Sequence, residues 1–102
     1  MKTHRQGAAA MKYVLAYRAA DGFAARAREL FAAHQAWYSD FAARGLLLMI
    51  GPFTDDPAGD ALAVFTTRQA AEEFAAGDPF VTGGVVASWT IREWREALVP
   101  ET

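Results

Sequence analysis

The apolar and polar positions of this chain show two periodicities, one typical of strands and one typical of helices. Apolar runs that are bounded by glycine, proline or aspartate predict four strands. These strands are residues 13–17, 46–50, 61–65 and about 85–92. Residues 23–44 carry apolar side chains at helical spacing, and a shorter helix is predicted from Thr66 to about Gly77. The predicted order is strand, helix, strand, strand, helix, strand.

Residues with special backbone preferences mark the ends of these elements. Gly45 stands where the long helix needs a C-cap, because glycine adopts the left-handed conformation without strain. Thr66 and Gln69 have the spacing of a capping box, which predicts Thr66 as the N-cap of the second helix. Gly51 and Pro52 are expected to stop the second strand in a turn.

The order of the elements predicts an α+β domain of the ferredoxin-like βαββαβ kind. Right-handed crossovers place both helices on one face of a four-stranded antiparallel sheet. We assign this domain to residues 11–96. Residues 1–10 are predicted to form a flexible N-terminal extension, with Met11 as a possible second start site, and residues 97–102 a C-terminal tail.

The second and third strands are apolar on both sides, although two helices cover only one face of a sheet. In the fourth strand, alternation predicts Trp89 and Ile91 on one face and Val86, Ser88 and Thr90 on the other. A second apolar face needs another cover, and a second copy of the chain is the simplest one. We therefore predict a homodimer packed sheet to sheet. A monomer whose second face is partly covered by its tails is the alternative.

Composition and charge exclude several classes of protein. The chain has 102 residues, enough for one domain, and its lack of cysteine excludes disulfides, thiolate metal sites and a catalytic thiol. The net charge is -2 and no basic stripe is present, so we predict no nucleic-acid partner. The longest apolar run, residues 46–50, is far too short to span a membrane. Residues 1–10 lack the apolar segment of a secretory signal, which predicts a cytoplasmic protein.

The pattern also predicts neither a metal nor a cofactor. Only two histidines are present, His4 and His34, and the first lies in the predicted extension. No glycine-rich loop precedes a helix, since Gly83 and Gly84 are followed by a strand. A small-molecule ligand is therefore expected to bind without help from a metal or a nucleotide.

His34 is the most informative polar residue of the long helix. It falls in the middle of an apolar stripe that includes Phe31, Trp37, Tyr38 and Phe41, so its imidazole must face the sheet or a cavity between helix and sheet. A buried polar group needs a hydrogen-bond partner. Two interpretations remain open at this point: a core histidine bonded to a backbone carbonyl, or a group that performs acid–base chemistry.

Asp78 is explained at once as a helix N-cap, because Asp followed by Pro is typical of the first turn of a helix. A carboxylate can cap a helix and also contact an imidazole, and this second contact would set the tautomer of the ring. Trp37 could stack on a flat ligand, although core packing is the usual role of tryptophan. Ser88 is a further candidate ligand contact, but no base lies near it in the sequence to make it a nucleophile.

Taken together, these residues resemble the YCII-related family of the dimeric α–β barrel superfamily. The resemblance runs from Met11 to about Trp94 and depends on the order and spacing of several short pieces. These pieces are Met11-Lys12-Tyr13-Val14-Leu15, His34 with Trp37-Tyr38, Gly45-Leu46-Leu47-Leu48, Gly51-Pro52, Glu72-Glu73, Asp78-Pro79-Phe80 and a last strand ending in Ile91. Residues 1–10 have no counterpart in the usual family pattern.

The resemblance implies a ferredoxin-like fold that dimerises through its sheets. It also implies a site in which the helix histidine and the aspartate of Asp-Pro-Phe come together, and His34 and Asp78 occupy these positions here. The best-known activity of the family is the dehydrochlorination of a chlorinated aromatic diol or triol, a lyase reaction that needs no cofactor. A shared fold is a poor guide to the substrate, so we do not transfer that substrate to this chain.

Our leading hypothesis is a cofactor-independent enzyme of the lyase or isomerase type that acts on a small molecule. His34 would be the general acid or base and Asp78 its orienting partner, while Gly51, Pro52 and Phe80 would shape the pocket. The alternative from another class is a non-catalytic module that binds a small ligand. A monooxygenase-like barrel protein is the third hypothesis.

Overall fold

The computed structural model describes residues 10–56 and 58–99, so nearly all of the predicted N-terminal extension and part of the predicted C-terminal tail lie outside the described residues. Four strands and three helices follow one another within the described residues. They are β1 (Met11–Ala19), α1 (Phe23–Ala43), β2 (Leu47–Pro52), β3 (Ala61–Phe65), α2 (Arg68–Gly77), α3 (Pro79–Thr82) and β4 (Val86–Arg95).

The four strands form one antiparallel sheet in the order β2-β3-β1-β4, which confirms the predicted ferredoxin-like α+β fold. β1 is central, and Tyr17 on this strand lies opposite Ala61 of β3 and Trp89 of β4. Residues that lie opposite each other point to the same face of a sheet. Leu15 and Tyr17 belong to the buried core, so their face is the one that the helices cover.

The core between the helices and the sheet is built around three phenylalanines, Phe41, Phe65 and Phe74, each at most 2% exposed. The ring of Phe74 lies 5.2 Å from that of Phe41 and 5.1 Å from that of Phe65, within the range that aromatic pairs favour. α2 reaches the core with small side chains, and Ala71 and Ala75 are completely buried. The small residues allow α2 to lie close to the sheet, which fixes the position of the chain that follows it.

The observed C-terminal end of α1 confirms the prediction from the sequence, whereas the observed N-cap of α2 differs from the predicted one. Gly45 follows α1 with a φ of 76°, the left-handed conformation that its position after the helix predicted. The N-cap of α2 is Thr67 and not Thr66, since the Thr67 hydroxyl accepts a hydrogen bond of 3.0 Å from the Ala70 N–H. Thr66 instead donates its own N–H to the carbonyl of Leu46, which ties it to the neighbouring strand.

β2 does not stop before Gly51 and Pro52, as the sequence predicted, but includes both. Gly51 lies opposite Leu62 and Pro52 opposite Ala61. β2 is an edge strand, and a proline is tolerated there because its missing N–H would have pointed away from the sheet.

The predicted faces of β4 need one correction. Trp89 and Ile91 share one face as predicted, and this is the helix face, opposite Tyr17 and Leu15. Val86, which was predicted on the other face together with Ser88 and Thr90, lies opposite Ala19 and packs against the core, on the same face as Trp89. The reason is an irregularity in the pairing of β1 with β4 between Arg18 and Ala19, which inverts the alternation at the start of β4.

Candidate active site

Asp78 lies at the junction of α2 and α3 and is completely buried. Its carboxylate accepts three hydrogen bonds from three separate parts of the fold. Oδ1 accepts the Phe80 N–H of α3 at 3.0 Å and lies 2.7 Å from His34 Nδ1 of α1. Oδ2 accepts the Tyr17 hydroxyl of β1 at 2.6 Å. The residue that the sequence explained as a helix cap therefore also joins α1 to the central strand.

The local sequence explains how Asp78 reaches this position. A proline disfavours helical geometry in the residue before it, and Asp78 accordingly has an extended backbone with φ of -63° and ψ of 125°. Its side chain then caps α3, whose first residue is Pro79. The extended residue separates α2 from α3, and its carboxylate lies 2.7 Å from His34 Nδ1.

His34 is 7% exposed, and its partner is the side chain of Asp78 and not the backbone carbonyl that one interpretation of the sequence predicted. With Asp78 ionised, its carboxylate can only accept hydrogen bonds, and the hydrogen between the two groups then belongs to Nδ1 of the imidazole. In the neutral ring this leaves a lone pair on Nε2. No hydrogen bond to Nε2 is found within the described residues, and every fully buried side-chain nitrogen or oxygen there has a partner, so Nε2 is not fully buried.

Two aromatic rings fix the plane of the imidazole. The Phe80 ring stacks on His34 with a centroid distance of 3.8 Å and an interplanar angle of 5°. Tyr38 meets His34 edge to face at 5.1 Å. With one face covered and Nδ1 bound to Asp78, a bound molecule can reach the ring through Nε2, in the plane of the ring.

Tyr17 was missed as a site residue, because the sequence analysis used it only as part of a strand. Burial raises the pKa of the Tyr17 hydroxyl well above its usual range, and the hydrogen bond to Asp78 and the negative charge of that carboxylate add to the effect. The hydroxyl therefore remains a hydrogen-bond donor across the physiological pH range. The sequence did contain one signal for this role. Side chains alternate along a strand, so Tyr17 shares the face of Leu15, and both belong to the core.

A cavity of about 400 Å³ adjoins these residues, between α1, α3 and the sheet. His34 and Tyr17 line it together with Gly51, Pro52 and Phe80, the three pocket residues that the sequence analysis named. Its walls are mostly apolar, and no lysine, arginine, aspartate or glutamate is among its lining residues within the described part of the chain. Its size and apolar walls are typical of sites for small organic molecules.

Two residues that were expected to contact a ligand lie elsewhere. Trp37 belongs to the partly buried shell of the core, where its Nε1–H donates to the carbonyl of Phe74 at 3.1 Å. A Cβ on Gly77 would lie 2.5 Å from the Trp37 ring, so the indole fills the space beside this glycine and does not line the cavity. Ser88 is exposed and lies opposite Arg18, on the sheet face that the helices leave open. Its alternation in β4, not its chemistry, decides that position.

The described residues contain no group of three or more histidine, aspartate or glutamate side chains that could hold a metal ion. In the same part of the chain, no helix is long and apolar enough to cross a membrane. The cytoplasmic location that the sequence suggested stays a prediction.

Comparisons with known proteins agree with the fold. One similar solved structure is 5-chloro-2-hydroxyhydroquinone dehydrochlorinase (TftG) from Burkholderia phenoliruptrix AC1100, in complex with 2,5-dihydroxybenzoquinone. The two chains are 19% identical with a TM-score of 0.69, over 82% of this chain and 93% of that chain. Protein Atu4242 from Agrobacterium tumefaciens is 8% identical with a TM-score of 0.50, over 90% of this chain and 99% of that chain. At these identities the likeness shows the fold alone.

A search among curated protein sequences finds no significant match. The sequence profile of the YCII-related domain, in contrast, matches residues 11–95, which include all seven helices and strands described above. The chain therefore belongs to the YCII-related family, as its motifs suggested.

Proposed function

We propose that this protein is a cofactor-independent enzyme that transfers a proton within a small, uncharged organic molecule. One observation supports the proposal most strongly: a buried histidine is bound through Nδ1 to a buried carboxylate and lines an apolar cavity. A histidine held in one tautomer with its second nitrogen free is the usual arrangement of a general base.

The chemistry follows from the two nitrogens of His34. Nε2 takes a proton from an acidic O–H, or from a C–H next to a carbonyl, and the substrate becomes a phenolate or enolate. The imidazolium that forms is stabilised by Asp78, which accepts the Nδ1–H. Return of the proton to another carbon completes an isomerisation. If a leaving group on the carbon next to the enolate carbon departs with its electron pair instead, a new double bond forms and the imidazolium gives its proton to water or to the leaving group. The reaction is then an elimination.

The size and the lining of the cavity favour a neutral and mainly flat substrate. An apolar cavity of about 150 Å³ is sufficient for benzene, so about 400 Å³ accommodates a substituted ring or two fused rings. The lining residues carry no cationic side chain to pair with a carboxylate or phosphate. The structural likeness to a dehydrochlorinase supports including halogenated phenols among the first compounds to test.

The test is to follow a panel of neutral phenols, chlorinated hydroquinones and enolisable ketones by NMR in deuterated buffer, with chloride release as a second readout. We expect the wild type to accelerate deuterium incorporation or chloride release for at least one class. In Ala61→Phe a phenyl ring enters the cavity beside Tyr17 and Pro52, and turnover should fall about 100-fold because the substrate no longer reaches its reactive position.

Ala36→Phe is the matched control for this variant, since it adds the same side chain at an exposed position of α1 outside the cavity lining. It should retain the wild-type rate. Equal rates in Ala61→Phe and the wild type would contradict the proposal that the cavity is the reaction site. A compound that binds to the wild type and is released unchanged, with no turnover in the panel, would favour the non-catalytic binding module.

We also propose that two copies pack through the sheet face opposite the helices, named here the open face. Large apolar side chains are exposed on it, with Met49 at 67% and Trp94 at 50%. Light scattering should give about twice the monomer mass of 11.1 kDa, and Met49→Lys should weaken the dimer because it places a charge on this face. Leu98→Lys, at a residue that is exposed outside the sheet, is the control. A monomeric mass for the wild type would contradict the dimer.

A further inference from the structure

Tyr17 has no part in the proton transfer as proposed, yet it makes the shortest hydrogen bond of the site, 2.6 Å to Asp78 Oδ2. We propose that Tyr17 is a positioning residue, which holds the Asp78 carboxylate in the orientation that fixes the His34 tautomer. The inference rests on the proposed function and extends the site from a pair of residues to a chain of three.

The two carboxylate oxygens of Asp78 have different partners. Oδ1 serves both the Phe80 N–H and His34 Nδ1, so both of these contacts lie at one end of the carboxylate. Oδ2 is bound by the Tyr17 hydroxyl alone among the hydrogen bonds found in the described residues. Rotation about the Cβ–Cγ bond would exchange or tilt the two oxygens, and a donor at Oδ2 opposes that rotation.

Burial makes this contact necessary. Asp78 is completely buried, so water cannot replace a missing donor at Oδ2 without a change in the structure. A buried acceptor that loses its partner is costly, and the carboxylate would regain a donor by turning Oδ2 toward another one. The N–H groups of Phe80 and His34 are the donors within reach, so such a turn would disturb the bond that holds the imidazole.

The position of Tyr17 in the fold suits it to this role. β1 is one of the two inner strands, paired on both sides, so its backbone is among the least mobile parts of the sheet. Ala61 lies directly opposite Tyr17, and the Tyr17 hydroxyl reaches Asp78 at the start of α3. Burial also raises the pKa of Tyr17, so the hydroxyl keeps the proton that it donates.

The test is to observe the His34 ring directly by ¹⁵N NMR, in a His4→Gln background that leaves a single histidine. The wild-type ring should show one tautomer, with the proton on Nδ1. In Tyr17→Phe we expect a measurable population of the other tautomer and exchange of the Nδ1 proton that is about tenfold faster, since one hydrogen bond fewer restrains the carboxylate.

Tyr13→Phe is the matched control. Tyr13 lies on the same strand and the same face as Tyr17, but its hydroxyl donates to Glu93 at the surface, 3.1 Å away. Removing this hydroxyl should leave the His34 spectrum unchanged. If Tyr17→Phe folds and its His34 signals coincide with those of Tyr13→Phe, Tyr17 only fills space and the proposal is wrong. If Tyr17→Phe is too unstable alone, the same spectra are recorded in trimethylamine N-oxide, which favours the compact state.

This experiment separates the inference from the proposed function, because the spectrum is measured on the free protein without any substrate. A change of tautomer in Tyr17→Phe supports the positioning role even if no compound of the panel is turned over, and in that case only the proposed function fails. An unchanged tautomer beside normal wild-type turnover would overturn the positioning role and leave the proposed function in place.

Discussion

Asp78→Ala is expected to lower the free energy of unfolding by about 3–5 kcal/mol. The substitution leaves the Tyr17 hydroxyl and His34 Nδ1 without their common acceptor in a buried place, and it removes the N-cap of α3. Because the three donors come from β1, α1 and α3, their loss affects the packing between these elements and not one helix end alone. Urea unfolding, followed by circular dichroism, measures the change.

Thr67→Ala provides the matched control, since Thr67 is exposed and caps α2 through one hydrogen bond, which its hydroxyl accepts from the Ala70 N–H. Its loss should cost about 1 kcal/mol, the usual value for a helix cap. Asp78→Asn should lie between the two, because the amide retains one oxygen acceptor. If Asp78→Ala proved no more destabilising than Thr67→Ala, the contribution of Asp78 to stability would be that of a cap.

His34→Gln is expected to reduce turnover by about 10²–10⁴-fold while the fold and the binding of ligands change little. Glutamine is of similar length, and its amide can still donate a hydrogen bond toward Asp78, but it cannot take up and return a proton. Steady-state kinetics on whichever panel compound reacts, together with a binding titration, separate the loss of rate from a loss of affinity.

The control for His34→Gln is Ala33→Gln, which introduces the same side chain at the adjacent, exposed position of α1. It should leave turnover and stability close to those of the wild type. Unchanged turnover in His34→Gln would exclude this imidazole as the acid or base. Lost affinity with an unchanged rate constant for bound substrate would reduce its role to that of a binding contact.

Features that depend on near neighbours in the chain were predictable. The helical spacing of α1 placed His34 on the buried side, and Asp-Pro identified the start of α3, because both patterns act within a turn or two of the backbone. The need of a buried imidazole for a partner followed from its burial. Burial alone did not identify the partner, since a backbone carbonyl would have satisfied the imidazole equally well. The resemblance to the YCII-related family was what implied Asp78.

Predictions failed where pairing between strands modified a local pattern. Val86 packs against the core because the pairing of β1 with β4 is irregular between Arg18 and Ala19. The sequence of β4 alone does not indicate this irregularity. Pro52 remained in β2 because the strand lies at the edge of the sheet, which a single strand cannot reveal. Ser88 was predicted as a ligand contact because of its hydroxyl. This was wrong, since the alternation of side chains in β4 places Ser88 on the open face.

The sequence by itself determined the order of the elements, the burial of His34, the capping role of Asp78 and the family. The family resemblance implied that His34 and Asp78, 44 positions apart, come together, and the tertiary structure shows the contact between Nδ1 and Oδ1. Only the tertiary structure decided that Tyr17, 61 positions from Asp78, holds its second oxygen. Periodicity and capping reflect contacts within a few residues, whereas these bonds depend on how closely α1, α3 and β1 approach. That approach is set by the packing of Phe41, Phe74 and the small residues of α2, and it arises only when the whole core has formed.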